Sequence, residues 1–100
     1  MIIYHIVKPE VWETYKDKNQ YEAESLKAEY FIHCSYRNQL DDVLERYYKT
    51  EPKVLILHIN PHLLSAKLIA ERSTGGEVYP HIYGAINRPA IVSVEERFLR

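Results

Sequence analysis

The stretch Val54-Leu55-Ile56-Leu57-His58-Ile59 is apolar on both of its alternating sides, and a strand takes that pattern where both faces of its sheet are covered. A second stretch, Ile2-Ile3-Tyr4-His5-Ile6-Val7, sets Ile2, Tyr4 and Ile6 against Ile3, His5 and Val7 in the same way. A chain of 100 residues builds one core, so both strands are expected inside a single domain spanning residues 1–100. His5 is thereby expected to point into the protein or into a cleft. With 46% hydrophobic and 27% charged residues the chain is an ordinary folded one. Thirteen basic against fourteen acidic side chains leave a net charge of −1, too little field to gather nucleic acid or anionic lipid, and neither is expected as a partner. The single cysteine, Cys34, has no partner for an intrachain bridge. The first apolar stretch is too short and too interrupted for a signal or a membrane span, so the cytoplasm is the expected location.

Between these strands, Pro9, Glu10 and Glu13 with Val11, Trp12 and Tyr15 predict a short helix ending near Asp17-Lys18-Asn19. Gln20 to Glu29 carries no firm period and reads as a loop with a helical turn at Ser25 to Ala28. Tyr30-Phe31-Ile32-His33-Cys34 reads as a strand, with Ser35 placed to cap the next helix. Tyr36, Leu40, Val43, Leu44 and Tyr47 recur at helical steps and define that helix, with Tyr47 facing inward. After Asn60-Pro61 come a short strand at Lys67 to Glu71, a flexible connection at Arg72 to Glu77, and a segment, Tyr79 to Gly84, too punctuated by Pro and Gly for a long regular element. Ile91 to Phe98 closes the chain as a strand. The order β-α-β-α-β-β-β predicts an α+β fold with a mixed or antiparallel sheet and two main helices.

Strand alternation puts His33 and Ser35 on one face and Cys34 with Ile32 on the other, so Cys34 is expected in the core and not as a nucleophile. Ser35 is open to two roles, a helix cap or a ligand contact. His58 and His62 are four apart, but Pro61 keeps them off one helical turn; no metal is expected. Tyr79-Pro80-His81-Ile82-Tyr83-Gly84 reads either as a tight connection, with a cis bond before Pro80 allowed, or as the wall of a cleft offering aromatic surface and donors to a small ligand. Among the carboxylates, Asp41, Asp42, Glu45, Glu95 and Glu96 are expected in solvent, while Glu71 stands at a strand end beside the glycine-bearing loop.

Tyr4-His5-Ile6-Val7, Phe31-Ile32-His33-Cys34-Ser35, Tyr47-Tyr48, Leu57-His58-Ile59-Asn60-Pro61 and Pro80-His81-Ile82-Tyr83-Gly84 together resemble the small bacterial family known as domain of unknown function 952. That family has been grouped by distant similarity with the ADP-ribosyltransferase-like fold, a split sheet whose cleft holds NAD. The resemblance implies that His5 bonds ribose and amide groups of NAD. It also implies that Ser35 follows the second motif strand and that Tyr47 or Tyr48 stacks on nicotinamide. Glu71, with Glu77 in reserve, would supply the catalytic carboxylate. His33, His81, Tyr83 and Gly84 complete the expected NAD-binding set. The activity so implied is ADP-ribosyl transfer or NAD glycohydrolysis. The alternatives are a non-catalytic small-molecule or nucleotide-binding module and a protein-interaction domain.

Overall fold

The computed structural model describes residues 1–99. Its central strand is β4 (Lys53–Ile59), flanked by β1 (Ile3–Val7) and β8 (Ile91–Phe98). Both neighbours run antiparallel to it. The double covering expected of the two apolar stretches holds. Ile3, Val7, Leu55, Leu57 and Ile59 enter one buried cluster, and Tyr4, Ile6, Val54 and Ile56 enter the other with Leu40 and Leu44. Every residue of β1 is buried.

The second sheet has the order β3 (Ile32–His33), β6 (Val78–Tyr83), β5 (Lys67–Arg72), and a small third sheet pairs β2 (Gln20–Tyr21) with β7 (Ile86–Asn87). All described pairings are antiparallel, which decides between the two sheet types expected. A single bridge joins the first two sheets: Tyr4 N–H donates to the Ser35 carbonyl at 2.9 Å, and Ser35 N–H to the Tyr4 carbonyl at 2.7 Å. Beyond that bridge β1 and β3 form no further ladder pairs.

The helices are α1 (Pro9–Glu13), α2 (Glu24–Glu29) and α3 (Leu40–Tyr47). The first is shorter than its apolar stripe predicted, and the second extends the helical turn expected at Ser25 to Ala28 by one residue at each end, closing on Tyr30 at φ 73°. Ser35 does not cap α3, because the N-cap positions of the turn and of the helix fall on Tyr36 and Gln39. The turn Arg37–Gln39 leads into the helix instead, with Gln39 Oε1 accepting from Tyr36 N–H at 2.9 Å. Tyr47 does not face inward either: it is 68% exposed, and its neighbour Tyr48 packs against the core. No described helix is long and apolar enough to cross a membrane.

The punctuated segment is a regular strand after all. Val78–Tyr83 is the middle strand of its sheet, with all peptide bonds trans. Pro80 is tolerated there because the Pro80 carbonyl accepts from Cys34 N–H just past the end of β3. A residue's N and O share one strand edge, so the missing proline donor falls where β3 has stopped. Gly84 follows because no side chain fits: a Cβ there would lie 2.9 Å from Ala66 Cβ.

Candidate functional site

The widening gap between β1 and β3 is a cleft of about 350 Å³. Tyr4 spends its backbone N–H and C=O on Ser35, and alternate residues of a strand present these groups to the same edge. Ile6 therefore aims its N–H and C=O into the cleft, as a donor and acceptor pair. A continued ladder would carry the Ile6 N–H to the His33 carbonyl. A side chain takes that place: His5 Nδ1–H donates to the His33 carbonyl at 2.6 Å.

A carbonyl only accepts, so the hydrogen sits on Nδ1 and Nε2 carries the lone pair. Tyr21 O–H donates to it at 2.9 Å. Burial lowers the His5 pKa to about 4, despite the favourable bond to His33, so the ring is neutral at pH 7. Burial likewise pushes the Tyr21 phenol up, which keeps its proton. Trp12 and Tyr15 pack on the Tyr21 ring at centroid distances of 5.9 and 5.1 Å. Arg88 lies 5.0 Å from the Trp12 ring and donates to the Tyr15 and Lys18 carbonyls, pinning the end of α1 against the cleft floor. Changing Tyr21 to Phe is expected to cost about 1–2 kcal/mol in denaturant titration, because it leaves the His5 acceptor buried and unpaired.

Around this floor the cleft is lined by Ser35, His33 and Tyr48, with Val7, Val11, Ala23 and Val43 as apolar walls and Lys8 and Glu24 at its edge. The Tyr48 phenol is pushed up by burial and by Glu51, and stays protonated. Cys34 is buried with its thiol also pushed up by burial, so it is core, as its strand position predicts.

Of the expected site residues, His5, His33, Ser35 and Tyr48 share this cleft, and Glu71, Glu77, His81, Tyr83 and Gly84 lie outside its lining. The three imidazoles at 5, 33 and 81 are still linked in space. His5 holds the His33 backbone, and the His33 ring meets the His81 ring edge-on at 5.4 Å. His33 and His81 are register partners, on the face of the β3-β6-β5 sheet opposite the buried Ile32 and Ile82. His81 Nδ1 and the Tyr83 hydroxyl both donate to Glu71 Oε1. Tyr83 first, then His81, holds the Glu71 carboxyl below its usual range. Glu77 is elsewhere, accepting from Gln39. Gly84 serves a close packing contact and not the cleft.

Tyr21 and the Ile6 backbone had no separate signal in the sequence. Tyr21 sits in a stretch without period, and only the need of a buried histidine for a second partner points to it. Glu95, expected in solvent, is partly buried. It accepts from His58 at 2.8 Å and from Arg97 beside a smaller polar hollow of about 230 Å³ on the other side of β1.

The family model described as "Protein of unknown function (DUF952)" matches residues 6–94. The crystal structure of protein CC0527 from Caulobacter crescentus superposes with a TM-score of 0.85 at 23% identity, covering 96% of this chain and 85% of that one. The solution NMR structure of CC0527 gives a TM-score of 0.80 at 23% identity, covering 94% and 82%. At that identity the likeness concerns the fold. No curated protein matches the chain. The motif words around His5, His33 and His81 and the match over most of the sequence agree: this chain belongs to the DUF952 family of proteins of unknown function.

Proposed function

We propose that the chain binds a small nucleotide-like molecule, of the NAD or ADP-ribose class, in the cleft between β1 and β3. The observation that carries this reading is the pairing of a main-chain donor and acceptor at Ile6 with a neutral, fixed imidazole beneath and a half-buried tyrosine beside them. A planar carboxamide or a base edge needs one donor and one acceptor side by side, and a ring needs an apolar or aromatic wall. Ser35 and His33 offer polar contacts for a ribose. The grouping of the family, by distant similarity, with the ADP-ribosyltransferase-like fold favours the same ligand class.

Binding is favoured over bond cleavage in this cleft. Departure of nicotinamide builds positive charge on the ribose, and a carboxylate must stand beside it to stabilise that charge. Glu71 is committed to His81 and Tyr83 on another face. The carboxylate on the cleft lining is Glu24, at its exposed edge.

Titration of the labelled protein with NAD and with ADP-ribose tests the reading. Saturable NMR shifts are expected at His5, Ile6, Ser35 and Tyr48. Tyr48→Ala is expected to weaken binding about tenfold, the equivalent of about 1.4 kcal/mol. Unchanged spectra at millimolar ligand would remove the proposal.

A further inference from the structure

Glu71, His81 and Tyr83 occupy one face of the β5 and β6 ladder and meet at a single carboxylate oxygen. His81 Nδ1 lies 2.8 Å from Glu71 Oε1, and the Tyr83 hydroxyl donates to the same atom. An ionised carboxylate only accepts, so the His81 hydrogen is fixed on Nδ1 and the lone pair of the neutral ring is fixed on Nε2. That Nε2 has no hydrogen-bond partner among the described residues. No fully buried side-chain nitrogen or oxygen among them lacks one, so Nε2 reaches solvent. It does so although the His81 side chain is only 11% exposed. Phe31 stacks on the ring with centroids 4.0 Å apart and His33 stands against it, so the imidazole is held in one orientation.

A held imidazole with a carboxylate on one nitrogen and an open lone pair on the other is the arrangement of an activated nucleophile or base. We infer that His81 Nε2 is a nucleophilic centre for acyl transfer from uncharged, activated carboxylic esters, with Glu71 as its positioning residue. The side chains bonded to the His81 and His33 rings are the carboxylates of Glu71 and Glu29, while Lys67, the register partner of Tyr83, stands on the same face. Carboxylates directly against the attacking ring disfavour an anionic donor at Nε2, and an uncharged acyl carbon is an electrophile that a neutral imidazole nitrogen attacks. In the reaction the Nε2 lone pair attacks the carbonyl carbon. The N–C bond forms as the C–O bond to the leaving group breaks, and the departing oxygen keeps the bonding pair. Glu71 balances the positive charge of the acylated ring across Nδ1–H. Water then cleaves the N–C bond: its hydroxyl completes the carboxylic acid, its remaining proton passes through solvent to the departed leaving-group oxygen, and the neutral imidazole is restored.

His62 is the internal control, exposed on a turn and not among the histidines joined to a carboxylate. Wild-type protein is treated with 4-nitrophenyl acetate, and the adduct is mapped by mass spectrometry. Acetylation is expected at His81 ahead of the far more exposed His62. Release of 4-nitrophenol is expected to fall about tenfold or more in His81→Gln and to stay unchanged in His62→Gln. The positioning role of Glu71 is read from imidazole ¹⁵N shifts. A single Nδ1–H tautomer is expected at His81 in the wild type and in Glu71→Gln, which keeps an acceptor, and a mixture in Glu71→Ala. Acetylation of His62 first, or equal at both sites, overturns the inference, as does undiminished turnover in a folded His81→Gln. The mapping uses unaltered protein, so it decides even where the His81 variant does not fold.

Discussion

Lowering the pH from 7 to 4 is expected to cost the fold about 3 kcal/mol through His5 alone. In the folded state burial brings this imidazole down to about 4, while in the unfolded chain it returns to 6.5. Between those values the unfolded state takes up a proton that the native state refuses. The stabilising contribution is therefore complete above pH 6.5, is lost as the pH falls across that window, and is flat below it. Protonation would put a hydrogen on Nε2 facing the Tyr21 hydroxyl, which would have to turn its own hydrogen away. Urea titrations between pH 4 and pH 7 measure the slope directly. In His5→Gln the absolute stability drops at every pH, since the ring and its two bonds are gone, but the His5 share of the slope over this window should vanish. An unchanged slope would mean that another group carries it.

Gly84→Ala is expected to destabilise the protein by about 2–3 kcal/mol. The new Cβ would stand 2.9 Å from Ala66 Cβ, at a backbone φ of +157°. Neither atom is the end of a flexible chain, so the backbone at Ala66, just before β5, and at Gly84, just after β6, must part. The partner substitution separates the two causes: Ala66→Gly in the Gly84→Ala background removes the clash and should return more than half of the loss. Whatever remains is the cost of placing a side chain at that φ. A single variant as stable as wild type, by midpoint of denaturation, would show that this corner is looser than the close approach implies. The same pair distinguishes packing from ligand binding at Gly84, because a ligand contact would change affinity without changing the midpoint.

The strands that proved easiest to foresee were those whose information is local. Ile2 to Val7 and Val54 to Ile59 are apolar on both sides, and no arrangement other than a doubly covered sheet accommodates them. The same argument placed His5 inward and Cys34 in the core. Tyr79 to Gly84 defeated local reasoning because a proline in a middle strand is acceptable only when the neighbouring strand ends beside it, and the length of β3 cannot be seen from Pro80. Tyr47 is exposed where the helical period predicts it inward, and of the two tyrosines left open for the cleft it is Tyr48 that lines it, because one residue at a helix end turns the side chain by about 100 degrees. Glu71, expected at a strand end beside the glycine-bearing loop and implied by the resemblance to be the cleft's carboxylate, is instead bonded to His81 and Tyr83 and lies outside the His5 cleft.

The amino-acid order by itself determined an α+β chain with two doubly covered strands, a first-strand histidine turned inward, a buried thiol and the motif words of its family, since each follows from periodicity or from adjacent residues. Only the tertiary structure decided which of the histidines, tyrosines and carboxylates meet. The bridge between Tyr4 and Ser35 and the gap beyond it open the cleft. The pairing of β6 with β5 brings Glu71 to His81, ten residues apart in sequence, and leaves both outside that cleft. Contacts of this kind depend on where strands end and on which edge a backbone presents, and those are properties of the assembled sheet, not of any segment alone.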